Sequence, residues 1–272
     1  MDISLLLRAA GTFLFLFLIV LIPVYLGQRY GISHGKKSAD LQNAPVGTVV
    51  AAAFGTLAFF LAFIFQIVAS RYIDRKELLL EEVTNIRTTY LRAGLLQEPF
   101  RSNTRSLLVE YTDLRIEIGR DAEKLAFALS RSQEILDTLW AYTEKLAAQD
   151  RSSEVYSLFT TSINDLVDNY NHRITTTFDY RLPPMILLIL LIVAFFSMYA
   201  QGYHFGVSGK GSLRINNILA FVFAIVMFLI ITLDRPETGL AKLNQKPMIT
   251  LQKQLHVMQS KENNTHLPNP EE

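Results

Sequence analysis

Apolar residues along this chain are gathered into four blocks. Between the second and third blocks lies a long stretch in which they recur singly, at spacings of three and four. The second block organises the rest. From Gly47 to Ser70 it reads GTVVAAAFGTLAFFLAFIFQIVAS, without a charge, long enough for a helix to cross the roughly 30 Å core of a bilayer. The residues after it, RYIDRKELLLEEVTNIRTTYLRAGLL, are dense in charge yet keep an apolar stripe at Leu79, Val83, Ile86 and Tyr90. No proline, and no glycine beyond Gly55, interrupts this run before Gly94. The pattern predicts one helix that leaves lipid and continues into water.

The first block, about Ala9 to Leu26, follows Arg8 and so competes as a signal peptide. Its bulky end at Val24, Tyr25 and Leu26 and its lack of an A-x-A cleavage site favour a retained span, with Pro23 as a kink or a stop. Gln28 to Pro45 reads as a polar loop broken by Gly31, Gly35 and Pro45. A third span follows Pro183-Pro184, a glycine-rich loop covers His204 to Arg214, and a fourth span ends at Asp234. Beyond it come a Pro-Gly turn, a short amphipathic helix from about Pro247, and a tail, KENNTHLPNPEE, with too little apolar surface to fold.

Between spans two and three the stripes predict further helices. Pro99 suits a helix first turn and precedes Leu107, Leu108, Tyr111, Leu114 and Ile118. Gln133 to Ala148 carries Ile135, Leu136, Leu139, Trp140 and Leu146. Ser153 to Phe178 carries Val155, Leu158, Phe159, Ile163, Leu166, Val167 and Tyr170. Strand signals are absent. The expected fold is an all-α integral membrane protein: four transmembrane helices with a helical cytoplasmic domain between spans 2 and 3. Its divisions are 1–70 (spans 1 and 2 and their loop), 71–182 (helical domain), 183–234 (spans 3 and 4) and 235–272 (tail).

Composition adds exclusions. Half of the 272 residues are hydrophobic and the formal net charge is +1, which gives nucleic acid no concentrated basic face to bind. With no cysteine, disulfides, thiolate metal sites and cysteine nucleophiles are excluded. Four spans place the amino terminus, the helical domain and the tail on one side. That side holds Arg8, Arg71, Arg75, Lys76, Arg173, Arg181, Arg235, Lys242 and Lys246, against Arg29, Lys36, Lys37, Lys210 and Arg214 opposite. The positive-inside rule then makes it the cytoplasmic side.

No catalytic constellation emerges, and no enzyme, cofactor or metal site is expected. His34, His172, His204, His256 and His266 are scattered and none pairs at ligand spacing. Glu81 and Glu82 are adjacent on a charged helix and point in different directions, which suits a solvated or salt-bridged face better than acid–base work. The second span carries more. Ala51, Gly55, Ala58, Ala62 and Ala69 form a seam of small residues suited to close helix packing in lipid. On the adjoining face Gly55, Phe59 and Phe63 step by four, with Gln66 one turn on. The phenylalanines either face lipid or a helix bundle, or line an apolar constriction that gates by dewetting.

Three segments give this chain a resemblance. They are AFIFQIVASRYIDRKELLLEEVTNIRTTYLRAGLL, the turn with Asp234, Arg235, Pro236 and Gly239, and Gln245-Lys246-Pro247. Over roughly Gly47 to Leu255 the chain resembles the bestrophin-like family of bacterial membrane proteins, which is distantly similar to bestrophin anion channels. The resemblance implies a pentamer whose second spans surround a pore, with neck positions at Gly55, Phe59 and Phe63 and an apolar-to-arginine end at Ile67, Val68 and Arg71; in a channel Arg71 and Arg75 would then place charge at the mouth. Gly55 stands where the family has a bulky neck residue, and the acidic calcium-binding segment of animal bestrophins is replaced by Asp234-Arg235-Pro236. The expected partners are the lipid bilayer, further copies of the chain and small inorganic anions, in the bacterial inner membrane. The alternative is a non-conducting scaffold or sensor whose helical domain binds a protein partner. A carrier ranks last, since the spans show no clear midplane charge. The Asp234 turn is expected to be structural, with Asp234 pairing to Arg71 or Arg235.

Overall fold

The computed structural model describes residues 3–35, 46–118, 124–209, 213–235 and 240–265. Eight α-helices follow in order among them: α1 (Ile3–Gly35), α2 (Val46–Ala93), α3 (Phe100–Ile118), α4 (Leu125–Gln149), α5 (Glu154–Ile174), α6 (Pro184–Ser208), α7 (Leu213–Asp234) and α8 (Lys246–Thr265). A single π-type turn, Thr175–Asp179, follows α5. Among the described residues four helical stretches are long and apolar enough to cross a membrane: Leu5–His34 in α1, Val46–Ala93 of α2, Glu154–Ser208 over α5 and α6, and Arg214–Asp234 in α7. The chain divides into two compact units, 1–73 with 181–242 and 74–180 with 243–272. Helix α2 contributes to both.

The first unit is built from α1, the first half of α2, α6 and α7. Its core follows helical spacing on every element: Leu16, Val20 and Val24; Leu57, Leu61, Ile64 and Val68; Leu190, Ala194 and Met198; Ala220, Met227 and Ile230. Helices α1 and α6 run parallel, and α7 runs against them, so that Phe13 meets Phe228 edge-on at 5.7 Å and Tyr25 donates to Asn217 at 3.0 Å. Pro184 occupies the first turn of α6, where its missing N–H costs nothing.

Two sequence expectations need correction in this unit. Gln28 to Gly35 is not loop, because α1 continues through it and through Pro23 as well. The reason is a seam with α6. A side chain at Gly27 would collide with the Tyr199 carbonyl, and one at Gly202 with the Val24 carbonyl. Gly31 and Gly206 repeat the arrangement one turn on. Gly31 and Gly206, which read as loop glycines, join Gly27 and Gly202 in allowing two backbones to touch, a gain in lipid that outweighs about 1 kcal/mol of helix propensity at each. Gln28 is not left unpaired either, since its Oε1 accepts from Asn216 at 3.2 Å. Likewise His204 to Ser208 is helical, and α6 stops at Gly209, whose φ of 65° is the left-handed cap that glycine supplies. The expected tail beyond Thr265 and most of the loop before Val46 lie outside the described residues.

In the second unit, the far half of α2 packs with α3, α4, α5 and α8 around Ile86, Tyr90, Leu108, Tyr111, Leu139 and Phe159. Ser153 caps α5 by accepting from the Tyr156 amide at 3.3 Å. Helices α2 and α5 are laced by side-chain bonds to backbone: Asn85 to Asp165 O, Thr89 to Ser162 O, Arg92 to Leu158 O, and in return Asn169 to Leu78 O. The stripes hold with exceptions. Trp140 is 39% exposed, since the inner face of α4 runs through Ile135, Leu139, Thr143 and Leu146, and Leu158 is exposed because that of α5 runs through Phe159, Ile163 and Leu166. The amphipathic helix after span 4 is part of this core. Met248, Leu251 and Leu255 of α8 are buried, and Gln252 donates to Asp113 of α3 at 2.7 Å.

Candidate functional site

Helix propensity and the absence of breakers carry α2 past its apolar half without interruption. Its buried positions in the first unit are Val50, Leu57, Leu61, Ile64 and Val68. Gly55, Phe59, Phe63 and Gln66 all lie off this face, exposed in the single chain. Phe59 is 68% exposed and Phe63 57%, and their rings stack with centroids 6.4 Å apart and planes at 11°. Around Gly55 the space is open: a Cβ there would meet nothing within 4 Å. The structure thus brings the four residues onto one uncovered, largely apolar side of the helix.

The seam of small residues behaves differently from its within-chain reading. Ala51, Ala58 and Ala62 are exposed, and only Ala69 is partly covered. Larger aliphatic side chains fill the space between α2 and its neighbours, so the close backbone packing in this unit belongs to α1 and α6 instead.

At the end of the apolar half, Arg71 reaches Asp234 of α7, with Nη1 to Oδ1 at 3.8 Å. Asp234 is only 5% exposed, and the same Oδ1 accepts from the Leu182 amide at 3.0 Å. One carboxylate therefore holds three segments: the α2 end, the lead-in to α6 and the α7 end. Arg235 is exposed, while Pro236 and Gly239 lie outside the described residues. Arg75, expected as a charge at the mouth, is instead 4% exposed within the second unit, because its place on α2 has turned onto a packed face.

The second unit buries a charge cluster that the sequence left as a surface alternative. Glu81 is exposed, but Glu82 is fully buried. Its Oε1 forms an ion pair with Arg115 Nε at 2.9 Å and accepts from the Tyr111 hydroxyl at 2.7 Å, and its Oε2 pairs with Arg173. The Arg115 guanidinium lies 5.4 Å from the Tyr170 ring centroid and 5.9 Å from that of Tyr111. Burial pushes the Tyr111 phenol up to about 12, against the pull of Arg115. The salt-bridged reading of this pair of glutamates applies to Glu82, in a buried setting that adjacent charges in a sequence do not disclose.

Of the histidines, His34 lies 3.3 Å from the Tyr30 hydroxyl and His256 lies 3.4 Å from Asp113. Among the described residues no three histidines or carboxylates gather as a metal site would require.

Comparison with known proteins fits this arrangement. A family model, the Bestrophin-like domain, matches residues 14–248. The chain belongs to the Bestrophin-like family. Solved structures with the same fold include a bacterial bestrophin homologue from Klebsiella pneumoniae, phased with zinc, at 16% identity and a TM-score of 0.63, covering 89% of this chain and 97% of that one. A variant of that homologue with a tryptophan replaced by alanine matches at 14% identity and a TM-score of 0.66, covering 96% of this chain and all of the other. An isoleucine-to-threonine variant gives 16% and 0.65, with 89% and 98% covered. At these identities the likeness is one of fold. Among curated proteins, none matches the sequence.

Proposed function

We propose that the chain is one subunit of a homo-oligomeric, pentameric ion channel of the bacterial inner membrane that passes small anions. In this reading α2 lines the pore, Phe59 and Phe63 form its apolar neck, and the helical domain and both termini are cytoplasmic. The observation that carries it is the uncovered face of α2, on which the two stacked phenylalanines stand in a chain of the Bestrophin-like family. Repeated around an axis, that face makes a narrow apolar ring, which blocks hydrated ions by dewetting until it widens. Gly55 leaves the ring open at its level. The exposed Ala51, Ala58 and Ala62 then serve packing between neighbouring copies of α2. Arg71 supplies positive charge near the end of the neck, offset by Asp234, so its field alone does not make the pore selective.

The test is flux through purified protein reconstituted in liposomes or planar bilayers. Anion conductance is expected, and Phe59→Ala combined with Phe63→Ala is expected to raise the leak by about tenfold or more as the apolar ring widens. Bilayers that stay silent at a verified density of pentamers would overturn the reading. They would favour the alternative of a non-conducting scaffold, especially if a stoichiometric protein partner copurifies with the helical domain.

A further inference from the structure

Helix α8 turns one side to the core of the second unit, through Met248, Leu251 and Leu255, and borders a trough with the other. Where α8 begins, a recess of about 450 Å³ lies between it and α2, lined by Val83, Pro247 and Leu251 and by Arg87 and Lys246. A second recess, of about 420 Å³, continues along α8 past Lys253 to Val257 and Met258. The two share Thr250 and Gln254 and so form one trough. The helical rise from Lys246 to Met258 makes it about 18 Å long.

The charge along this trough has one sign. Among the described residues that line it there are cations and no carboxylate. Arg87, Lys246 and Lys253 are exposed, and no ion pair among the described residues engages them. Two of the neutral polar groups are already spent. Thr250 Oγ1 donates to the Lys246 carbonyl at 2.9 Å, and Asn244 Oδ1 accepts from the Lys246 amide at 3.0 Å. The rest of the lining is largely apolar, with Val257 53% and Met258 37% exposed. An occupant must therefore bring negative charge and apolar surface together. Seven residues of helix, about 10 Å, separate Lys246 from Lys253, which is more than one phosphate or carboxylate spans. A bilayer surface is flat, whereas the apolar residues between Arg87 and Lys246 are recessed, with Val83 half-buried and Leu251 buried. We propose that the trough between α2 and α8 is a docking site for an acidic amphipathic segment of a protein partner. Its carboxylates meet Arg87, Lys246 and Lys253, and its apolar side chains cover Val83, Pro247, Val257 and Met258.

The proposal does not depend on conduction. Its test is fluorescence anisotropy with purified full-length protein in detergent and a labelled helical peptide that carries glutamates and leucines on one face. The acidic peptide is expected to bind about tenfold more tightly than its glutamine counterpart, and less tightly as salt is added. Arg87→Glu, Lys246→Glu and Lys253→Glu together should weaken the acidic peptide by about tenfold and admit a lysine counterpart in its place. Lys253→Glu alone, at an exposed position, gives a smaller loss in the same direction if the triple variant fails to fold. Thr250→Trp fills the junction of the two recesses and weakens the acidic peptide without a change of charge. Arg151→Glu, at an exposed cation outside the trough, leaves binding unchanged. Equal binding of the acidic and glutamine peptides overturns the proposal, as does an equal loss in the Arg151 and Lys253 variants. A photoreactive residue at Gln254 that cross-links in cells to a second copy of this chain, or to lipid, overturns it as well.

Discussion

At Glu82 one carboxylate sits between two guanidiniums and beneath a tyrosine, wholly out of solvent. Removing its charge strands Arg115 and Arg173 in the core, where solvation cannot replace the lost partner. Glu82→Gln is therefore expected to cost about 3–5 kcal/mol, read as a fall in the unfolding midpoint followed by circular dichroism in detergent. The neighbouring Glu81→Gln, on the exposed face, should stay within about 0.5 kcal/mol of the parent. Equal effects at the two positions would contradict the burial difference. Asp234 has a related role in the other unit. Asp234→Lys places a cation against Arg71 and removes the acceptor of the Leu182 amide, so the melting curve of the detergent-solubilised protein should drop by the equivalent of at least about 2 kcal/mol. An unchanged curve would dispose of the three-segment tie. Glu82 was hard to read in the sequence for a specific reason. Its charged neighbours Glu81 and Lys76 to Glu77 make position 82 look like part of the solvated face beside the apolar stripe, and only the far-off Arg115 and Arg173 decide which carboxylate goes inward.

Helices were legible where one stripe carried its own evidence. The spacing of Leu79, Ile86 and Tyr90, or of Phe159, Ile163 and Leu166, states the period and the buried face together. Helix α8 was legible as a helix but not as core, because the surface that buries Met248, Leu251 and Leu255 is supplied by α3, far away in the chain. Glycine was the other source of error. Gly31 and Gly206 read in the sequence like loop glycines such as Gly209, and their meaning, with that of Gly27 and Gly202, arises only when α1 and α6 are set side by side. The seam makes a direct prediction. Gly202→Val forces a side chain into the α1 backbone and is expected to destabilise the protein by about 1–3 kcal/mol, whereas Gly11→Ala, with open space around it, should be neutral or slightly stabilising in the same thermal assay.

For the molecule as a whole, the class was legible and the site only half so. Four blocks of apolar residues fix a membrane protein by length alone, and the stretch around Arg71 to Leu96 with the turn at Asp234 pointed to the family that the match over residues 14–248 then established. The step of four through Gly55, Phe59 and Phe63 falls on a face that is uncovered in one chain, and such a face looks the same whether lipid, a pore or a second copy lies beyond it. Particle mass separates these. The detergent-free mass of the purified protein is expected to be that of a pentamer, and a monomer would remove the central pore altogether.

The glycine seam also bears on the order in which the protein is made. Helices α1 and α6 lie on opposite sides of α2 to α5 in the chain, so α1 leaves the ribosome long before its closest partner exists. Until then, the bare backbone at Gly27 and Gly31 faces lipid with no Cβ to shield it. The tightest contact of the membrane unit thus closes late, only after α2 to α5 have been made, and a defect in it would appear during biosynthesis, as slow assembly and early proteolysis, before it appeared in the finished molecule.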